Sequence, residues 1–373
     1  MKLLFWSSFA LIFLTYAGYP ICLYLWARFR PRPIRQLTIF PSVTILLAVR
    51  NEATKLPRKL QNLAELDYPP DRLSIIVVSD GSTDETNEIL AAWEKPPRRA
   101  AVILAEHWGK ATALNRGVAQ AQSEIIVFTD ARQMIISDAL KWLVANFADP
   151  SVGCVSGELM IGEGSTAASA EAVGLYWRIE KNIRHWEGVT GSTVGATGAF
   201  YAARKHLITH VPPETILDDV YIPLQVIKQG YRVVFERRAH ARDDLKPTSK
   251  QEFNRKVRTL LGNYQLLQMT PWVVTRANPV RLQFICHKLL RLLVPFALVS
   301  LLVSTMWIRR DVYELALGLQ LIFYALATLT VFRAHLGIIS KMSHISLAFL
   351  VLNSAAAVAF VYFITGRKAI WMS

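Results

Sequence analysis

The chain has 373 residues and a formal net charge of +14. A hydrophobic share of 52% and a mean hydropathy of +0.27 argue against a purely soluble globule and direct the search to membrane segments. Cys22, Cys154 and Cys286 lie far apart with no CxxC pair, so neither a disulfide framework nor a zinc site is indicated. The basic residues flank apolar segments and form neither a tail nor a basic helix with interleaved aromatics. No nucleic-acid partner is therefore expected. The charge suits a domain held on the anionic side of a lipid bilayer.

Residues 3–26 carry no charge and are long enough to cross a hydrocarbon core of ~30 Å, which takes about 20 helical residues. Arg28, Arg30, Arg32 and Arg35 follow, with Pro31 and Pro33 ending the helix, so the positive-inside bias places the next stretch in the cytoplasm. A signal peptide would have a shorter apolar core and its basic cluster in front. Residues 43–49, 73–79, 101–105 and 125–129 read as strands, and 52–66, 83–93, 110–121 and 138–147 as helices. These repeated βαβ units predict an α/β fold with an open, mostly parallel sheet and helices on both faces. Residues 171–187 read as a helix with Trp177 and Trp186 among Arg178, Lys181, Arg184 and His185. That mixture suits a headgroup interface, a sugar-stacking surface or a plain surface helix.

Near the C-terminus, residues 289–308, 313–332 and 345–365 are of spanning length with charges mainly at their ends, and Arg291 is near enough the start of the first to snorkel. Three spans would leave Arg309-Arg310 and Arg367-Lys368 on the outer side, so a re-entrant or interfacial segment stays open. The expected organisation is a transmembrane helix at 1–27 and a cytoplasmic domain at 28–248. Interfacial helices follow at 249–288, then a transmembrane region of about three spans at 289–373.

Four motifs carry chemistry. Asp80 ends the apolar run Ile75 to Val78, and Ser82 with Glu85 reads as a capping box opening the next helix. Asp130 directly follows the apolar strand 125–129. Asp218-Asp219 opens the helical run 220–229 just after Pro212-Pro213, and Arg255-Lys256-Val257-Arg258 precedes the membrane region. Singly, each is more often a cap or a topology signal. Two carboxylates at the ends of parallel strands, however, converge on the crevice where open α/β sheets bind ligands.

In these motifs and their order, the chain resembles the membrane-embedded family 2 glycosyltransferases, the group with cellulose, hyaluronan and poly-N-acetylglucosamine synthases and ceramide glucosyltransferases. The resemblance covers about residues 40–295. It is carried by Val43 to Glu52, by Asp-Gly-Ser-Thr-Asp at 80–84, by Gly-Lys-Ala-Thr-Ala-Leu-Asn at 109–115 and by Gly-Ala-Thr-Gly-Ala at 195–199. It implies a GT-A-like fold and a nucleotide-sugar donor, usually UDP-linked. Donor binding falls to Asn51, Glu52, Asp80, Lys110, Asp130, Arg132, Arg255 and Arg258. Asp130 would ligate Mg²⁺ or Mn²⁺ across the diphosphate. Asp219 would be the general base for an inverting displacement, its pKa raised by Asp218, and Gly195, Thr197, Gly198 and Trp177 would face the acceptor.

Two positions depart from the family pattern. The second acid of D-x-D is Arg132, which would meet phosphate directly and reduce dependence on metal, or form a salt bridge at a helix start. Thr259 stands where the last motif usually ends in Trp, an aromatic associated with processive synthesis. The expected function is sugar transfer to a growing polysaccharide or lipid-linked acceptor at an inner, cytoplasmic membrane, with room for export or polymerisation partner proteins. The alternatives are a single-transfer, glycolipid-forming enzyme resembling ceramide glucosyltransferases and a non-catalytic nucleotide-sensing scaffold.

Overall fold

The computed structural model describes residues 1–161, 168–244, 249–308, 310–329 and 338–367. Arg309, Lys368 and the end of the expected span 313–332 lie outside the described residues. Among the described residues, eight strands form one sheet: β1 Val43–Val49, β2 Leu73–Asp80, β3 Arg99–Leu104, β4 Ile125–Thr129, β5 Met134–Ile135, β6 Val152–Ile161, β7 Phe200–Arg204 and β8 Arg232–Asp243. Their spatial order is β3-β2-β1-β4-β7-β6-β8-β5. The half formed by β3, β2, β1 and β4 is parallel throughout. Beyond β4 the sheet is mixed: β7 is antiparallel to both β4 and β6, and β6 runs parallel to β8.

The helices are α1 Lys2–Phe13, α2 Tyr19–Phe29, α3 Leu56–Ala64, α4 Thr86–Trp93, α5 Lys110–Gln120, α6 Ala139–Ala145, α7 Ala168–Thr190 and α8 Asp218–Lys228. They continue with α9 Ser249–Met269, α10 Arg281–Phe284, α11 Leu290–Trp307, α12 Asp311–Leu329 and α13 Ile338–Ile364. β1 reads Val-Thr-Ile-Leu-Leu-Ala-Val because both of its faces are covered. Val43, Ile45, Leu47 and Val49 pack in one core with Leu56, Leu60 and Leu63 of α3 and with Leu140 and Leu143 of α6. Leu46 packs in the other core with Ala113 and Leu114 of α5. Gly117 lets α5 approach that closely, since a Cβ there would lie 2.1 Å from Leu46 Cδ1.

The second core also contains Val220 and Leu224 of α8, Val257 and Leu261 of α9, and Ala355, Ala356 and Ala359 of α13. Among the described residues, four helices are long and apolar enough to cross a membrane: Lys2–Phe29, Arg281–Trp307, Asp311–Leu329 and Met342–Ile364. The last of these thus shares a core with the sheet's helices, so the α/β layer and the spanning bundle pack directly on each other.

The expected capping box at Ser82 and Glu85 does not form. Helix α4 starts later, at Thr86, and its N-cap Glu85 makes no side-chain cap. Asp84 takes that task, accepting from the Thr86 N–H and hydroxyl. Ser82 Oγ instead accepts from the Asn51 N–H at 3.2 Å and from the Ser79 hydroxyl at 2.8 Å. The residues after Asp80 are spent tying the β1 and β2 loops together. Helix α3 likewise starts at Leu56, four residues past the expected 52, with Pro57 in its first turn where a missing N–H costs nothing.

Candidate active site

A cavity of about 610 Å³ opens where the carboxyl ends of β1 and β4 meet the first turns of α5 and α8, and it runs on to the spanning helices. Asp130 is the first residue after β4, Lys110 the first of α5, and Asp218 and Asp219 the first two of α8. Lys110 Nζ lies 3.1 Å from Asp130 Oδ1 and 3.3 Å from Asp218 Oδ1, bridging two carboxylates. Burial works against the Lys110 charge, but Asp130, Asp218 and Asp219 outweigh it and hold the ammonium above the usual lysine range.

Asp219 Oδ2 accepts from the Gly198 N–H at 3.1 Å, and the Asp219 carbonyl accepts from the Ala196 N–H at 2.7 Å. A Cβ on Gly198 would lie only 3.0 Å from Asp219 Oδ2, so the glycine allows the carboxylate to close on the 195–199 loop. Burial pushes the Asp219 carboxyl up to about 6. The Asp218 charge adds to the rise, against the pull of Lys110, Lys288 and Arg184. A carboxylate of that pKa, beside a cavity and at a helix N-terminus, is built to accept a proton near neutral pH.

The expected site residues divide. Glu52, Lys110, Asp130, Arg132, Asp218, Asp219, Arg255, Arg258, Thr197, Gly198 and Trp177 all line the cavity. Asn51, Asp80 and Gly195 are not among its walls. Asn51, with φ at +52°, spends its side chain on Thr83, accepting from the Thr83 N–H at 2.8 Å. Asp80 is buried: Oδ1 accepts from the Trp108 N–H at 2.8 Å, and Oδ2 accepts from the Gly109 N–H at 2.9 Å and meets His107 Nδ1 at 2.7 Å. These bonds fix the loop that delivers Lys110. A Cβ on Gly195 would lie 3.0 Å from Val220 Cγ2, so the glycine lets the loop pack on α8.

Arg132 does form a salt bridge, 2.6 Å from Asp243 Oδ2 at the end of β8, while still lining the cavity. Among the described residues no group of three or more His, Cys, Asp or Glu is placed to hold an ion. The donor set therefore fits a hard cation only in the mode where one carboxylate, Asp130, is joined by substrate phosphates and water, which Mg²⁺ accepts. Thr259 donates its hydroxyl to the Arg255 carbonyl at 2.9 Å and lines the cavity without an aromatic ring.

Several contributors were not anticipated. Lys59 on α3 is fully buried, and its ammonium donates to Thr129 Oγ1 at 2.9 Å and to the Gln133 carbonyl at 2.5 Å. Thr129 in turn donates to the Ala199 carbonyl at 2.9 Å. The end of β4 is thereby tied to the 195–199 loop. Burial lowers Lys59 to about 7, with Asp130 working against the fall. Leu56 and Leu63 stand three residues before and four after Lys59, so the helix face that buries them also carries Lys59 inward.

The second unanticipated group lies where α7 meets the spanning helices. His287 sits between two carboxylates, Nδ1 2.9 Å from Glu187 Oε1 and Nε2 2.9 Å from Glu180 Oε1. Tyr19 donates to Glu187 at 2.6 Å, and Arg291 reaches Glu180 at 2.9 Å. Burial favours the neutral forms of both acids, but His287 outweighs it for each, helped by Arg291 and Arg184 at Glu180, and both stay below the usual carboxylate range. Arg184 then donates to Thr197 Oγ1 at 2.7 Å, one residue from the Gly198 N–H that holds Asp219. Arg291, expected to snorkel, is instead turned onto Glu180. The 3–4 spacing of Glu180, Arg184 and Glu187 on one helical face was the available signal.

Residues 44–209 match the model of the family described as glycosyl transferase family 2. The chain is 27% identical over 229 residues to a poly-beta-1,6-N-acetyl-D-glucosamine synthase of Staphylococcus aureus, covering 60% of this chain and 55% of the relative. It is 26% identical over 244 residues to the synthase of that name from Staphylococcus epidermidis, covering 64% and 59%. The chain thus spans little more than half the length of these relatives. In fold it is similar to a mannosyltransferase from Pyrobaculum calidifontis solved in complex with GDP-Man and Mn²⁺, with a TM-score of 0.71, 22% identity, and coverage of 98% of this chain and 100% of that one. The GT-A-like architecture is common to both.

Proposed function

We propose that this chain, whose residues 44–209 form a family 2 glycosyltransferase domain, is an inverting sugar transferase working at the cytoplasmic face of an inner membrane. The donor is a nucleotide sugar, UDP-linked in our reading, and the acceptor is a hydroxyl of a polysaccharide or lipid-linked glycan. The observation that carries this is the placement of Asp219, a carboxyl pushed up to about 6, in one cavity with the Lys110 bridge between Asp130 and Asp218. That is a proton acceptor beside a site built for a charged leaving group.

In the reaction, Lys110, Arg255 and Arg258 bind the diphosphate and take up the charge that develops on it as the sugar departs. Arg132, anchored by Asp243, adds a fixed positive charge to the same wall. Asp219 removes the proton from the acceptor hydroxyl as that oxygen attacks the anomeric carbon from the face opposite the diphosphate. The Gly198 N–H orients its carboxylate, and Asp80 acts one step back by holding the loop before Lys110. Mg²⁺ or Mn²⁺ bound through Asp130 and the phosphates would supply further charge neutralisation.

The test is to incubate the purified protein in lipid nanodiscs with a panel of nucleotide sugars, with and without Mg²⁺ or Mn²⁺. Release of nucleoside diphosphate and a product of inverted anomeric configuration support the reading. No release from any donor overturns it and favours a nucleotide-sensing scaffold.

A further inference from the structure

The cavity holds more positive charge than a nucleotide sugar uses. Among the described residues, ten Arg and Lys side chains line it against five Asp and Glu, with Asp243 and Glu252 pairing Arg132, Arg255 and Lys256 from behind the wall. A nucleoside diphosphate brings roughly two negative charges, and a divalent cation would cancel those. The surplus is concentrated at the membrane end. Both ring nitrogens of His287 face carboxylate oxygens, which only accept. Arg184, Arg291 and Lys288 stand there with it against Glu180 and Glu187.

Arg184, Arg291 and His287 are engaged by the two acids, but no hydrogen bond or ion pair among the described residues reaches Lys288, which lines the same cavity. Glu180 and Glu187 attract its charge without bonding it, so an anion that comes to Lys288 this close to the bilayer would add to that attraction. The Lys288 charge is also close to the chemistry, since it and Arg184 both pull on the Asp219 carboxyl. A second polar group borders the cavity. Asn263 of α9 is 3% exposed and lines the cavity, and its buried Oδ1 has no hydrogen-bond partner among the described residues. Beyond it the walls are Tyr16, Leu352, Asn353 and Ala356, contributed by the first and last spanning segments. That end is lined for a chain that arrives through the bilayer.

We propose that the acceptor is a membrane lipid whose reacting hydroxyl lies next to a phosphate, with Lys288 and Arg184 receiving the phosphate and Asn263 a headgroup hydroxyl. This rests on the transferase reading above and names its substrate class. In the step, the acceptor oxygen forms the new bond to the anomeric carbon and its proton passes to Asp219. The anomeric carbon–oxygen bond to the diphosphate breaks, and the electron pair leaves with the nucleotide. The acceptor's phosphate is unchanged. Two sources share this chemistry, a phosphoglycerolipid headgroup and a sugar already carried on a lipid diphosphate.

The experiment uses the full chain in nanodiscs and compares wild type with Lys288→Met, which removes the charge and keeps the stem. Binding of phosphatidylglycerol, of a polyprenyl-diphosphate-linked N-acetylhexosamine, of diacylglycerol and of an alkyl glucoside is followed by native mass spectrometry without donor. Transfer from the active nucleotide sugar is then measured with each. Wild type is expected to prefer at least one phosphate-bearing lipid to its neutral counterpart, and whichever it is identifies the source. Lys288→Met should raise the KM for that lipid about tenfold or more, the scale of one charge-assisted contact. The donor KM should not change. Equal use of neutral and phosphate-bearing acceptors, or a donor KM that rises in place of the acceptor KM, overturns the proposal. Donor hydrolysis with no lipid preference sinks the subsite alone. Lipid preference with no donor turnover sinks the transferase reading and keeps the subsite.

Discussion

At the sheet end of the cavity, four of the charged groups stand on the first residue after a strand or in the first turn of a helix. Asp130 follows β4, Lys110 opens α5, and Asp218 and Asp219 open α8. Their backbone is fixed by the core, so little extra structure is needed to aim them. At the membrane end the charges stand inside long helices. Glu180, Arg184 and Glu187 come from α7, Tyr19 from the first spanning segment, and His287 and Arg291 from the second. Here the side chains hold one another, and three distant segments must assemble before any of them is compensated. The first arrangement serves chemistry with modest structural cost. The second stakes the packing of the α/β layer on the bilayer helices upon a buried ionic network.

The largest expected effect separates the two ends through activity. Asp219→Asn should lower sugar transfer by roughly 10²- to 10⁴-fold, the usual weight of a general base. Its thermal unfolding in detergent should match wild type. Next, His287→Ala leaves Glu180 and Glu187 without the ring that bonds both. A broken buried pair costs about 3–5 kcal/mol, so this variant should unfold at markedly lower temperature, while Asp130→Asn, half-exposed at the other end, should not. Equal melting of the two would erase the contrast.

A smaller effect concerns Lys59, beneath the sheet end. Its pKa falls from 10.5 to about 7 on folding, so between those values the unfolded chain binds a proton that the native chain does not. Stability should therefore rise with pH across that window, the cost being fully present below about 7. Lys59→Met should flatten the dependence of melting temperature on pH between roughly 7 and 10. An unchanged slope would show that Lys59 stays charged in the native state.

The parallel half of the sheet was legible because β1, β2 and β4 are short continuous apolar runs between turn residues, a pattern that burial on both faces demands. The other half was not. β8 reads Arg-Val-Val-Phe-Glu-Arg-Arg-Ala-His-Ala-Arg-Asp, and its charged second half masks the strand; β6 is broken by Gly153 and Gly157, which sit where a Cβ would strike Leu207 and Phe200. For the site the same division holds. Strand-end and helix-start carboxylates announce themselves by position, whereas Asp80 has the right position but points its oxygens into the protein. Lys59, His287 and Asn263 depend on which helix face meets which partner, and that is set only by tertiary packing.

The central claim, that Asp219 is the proton acceptor and that its neighbours set its pKa, is tested most directly by the pH dependence of kcat/KM in wild type and Asp218→Asn. The wild type should lose activity as pH falls through about 6, where the Asp219 carboxylate takes up a proton. Removing the Asp218 charge removes a repulsion that raises that pKa, so the acid limb should move to lower pH. A wild-type profile with no limb in this range, or a limb that stays in place or rises in Asp218→Asn, would contradict the account.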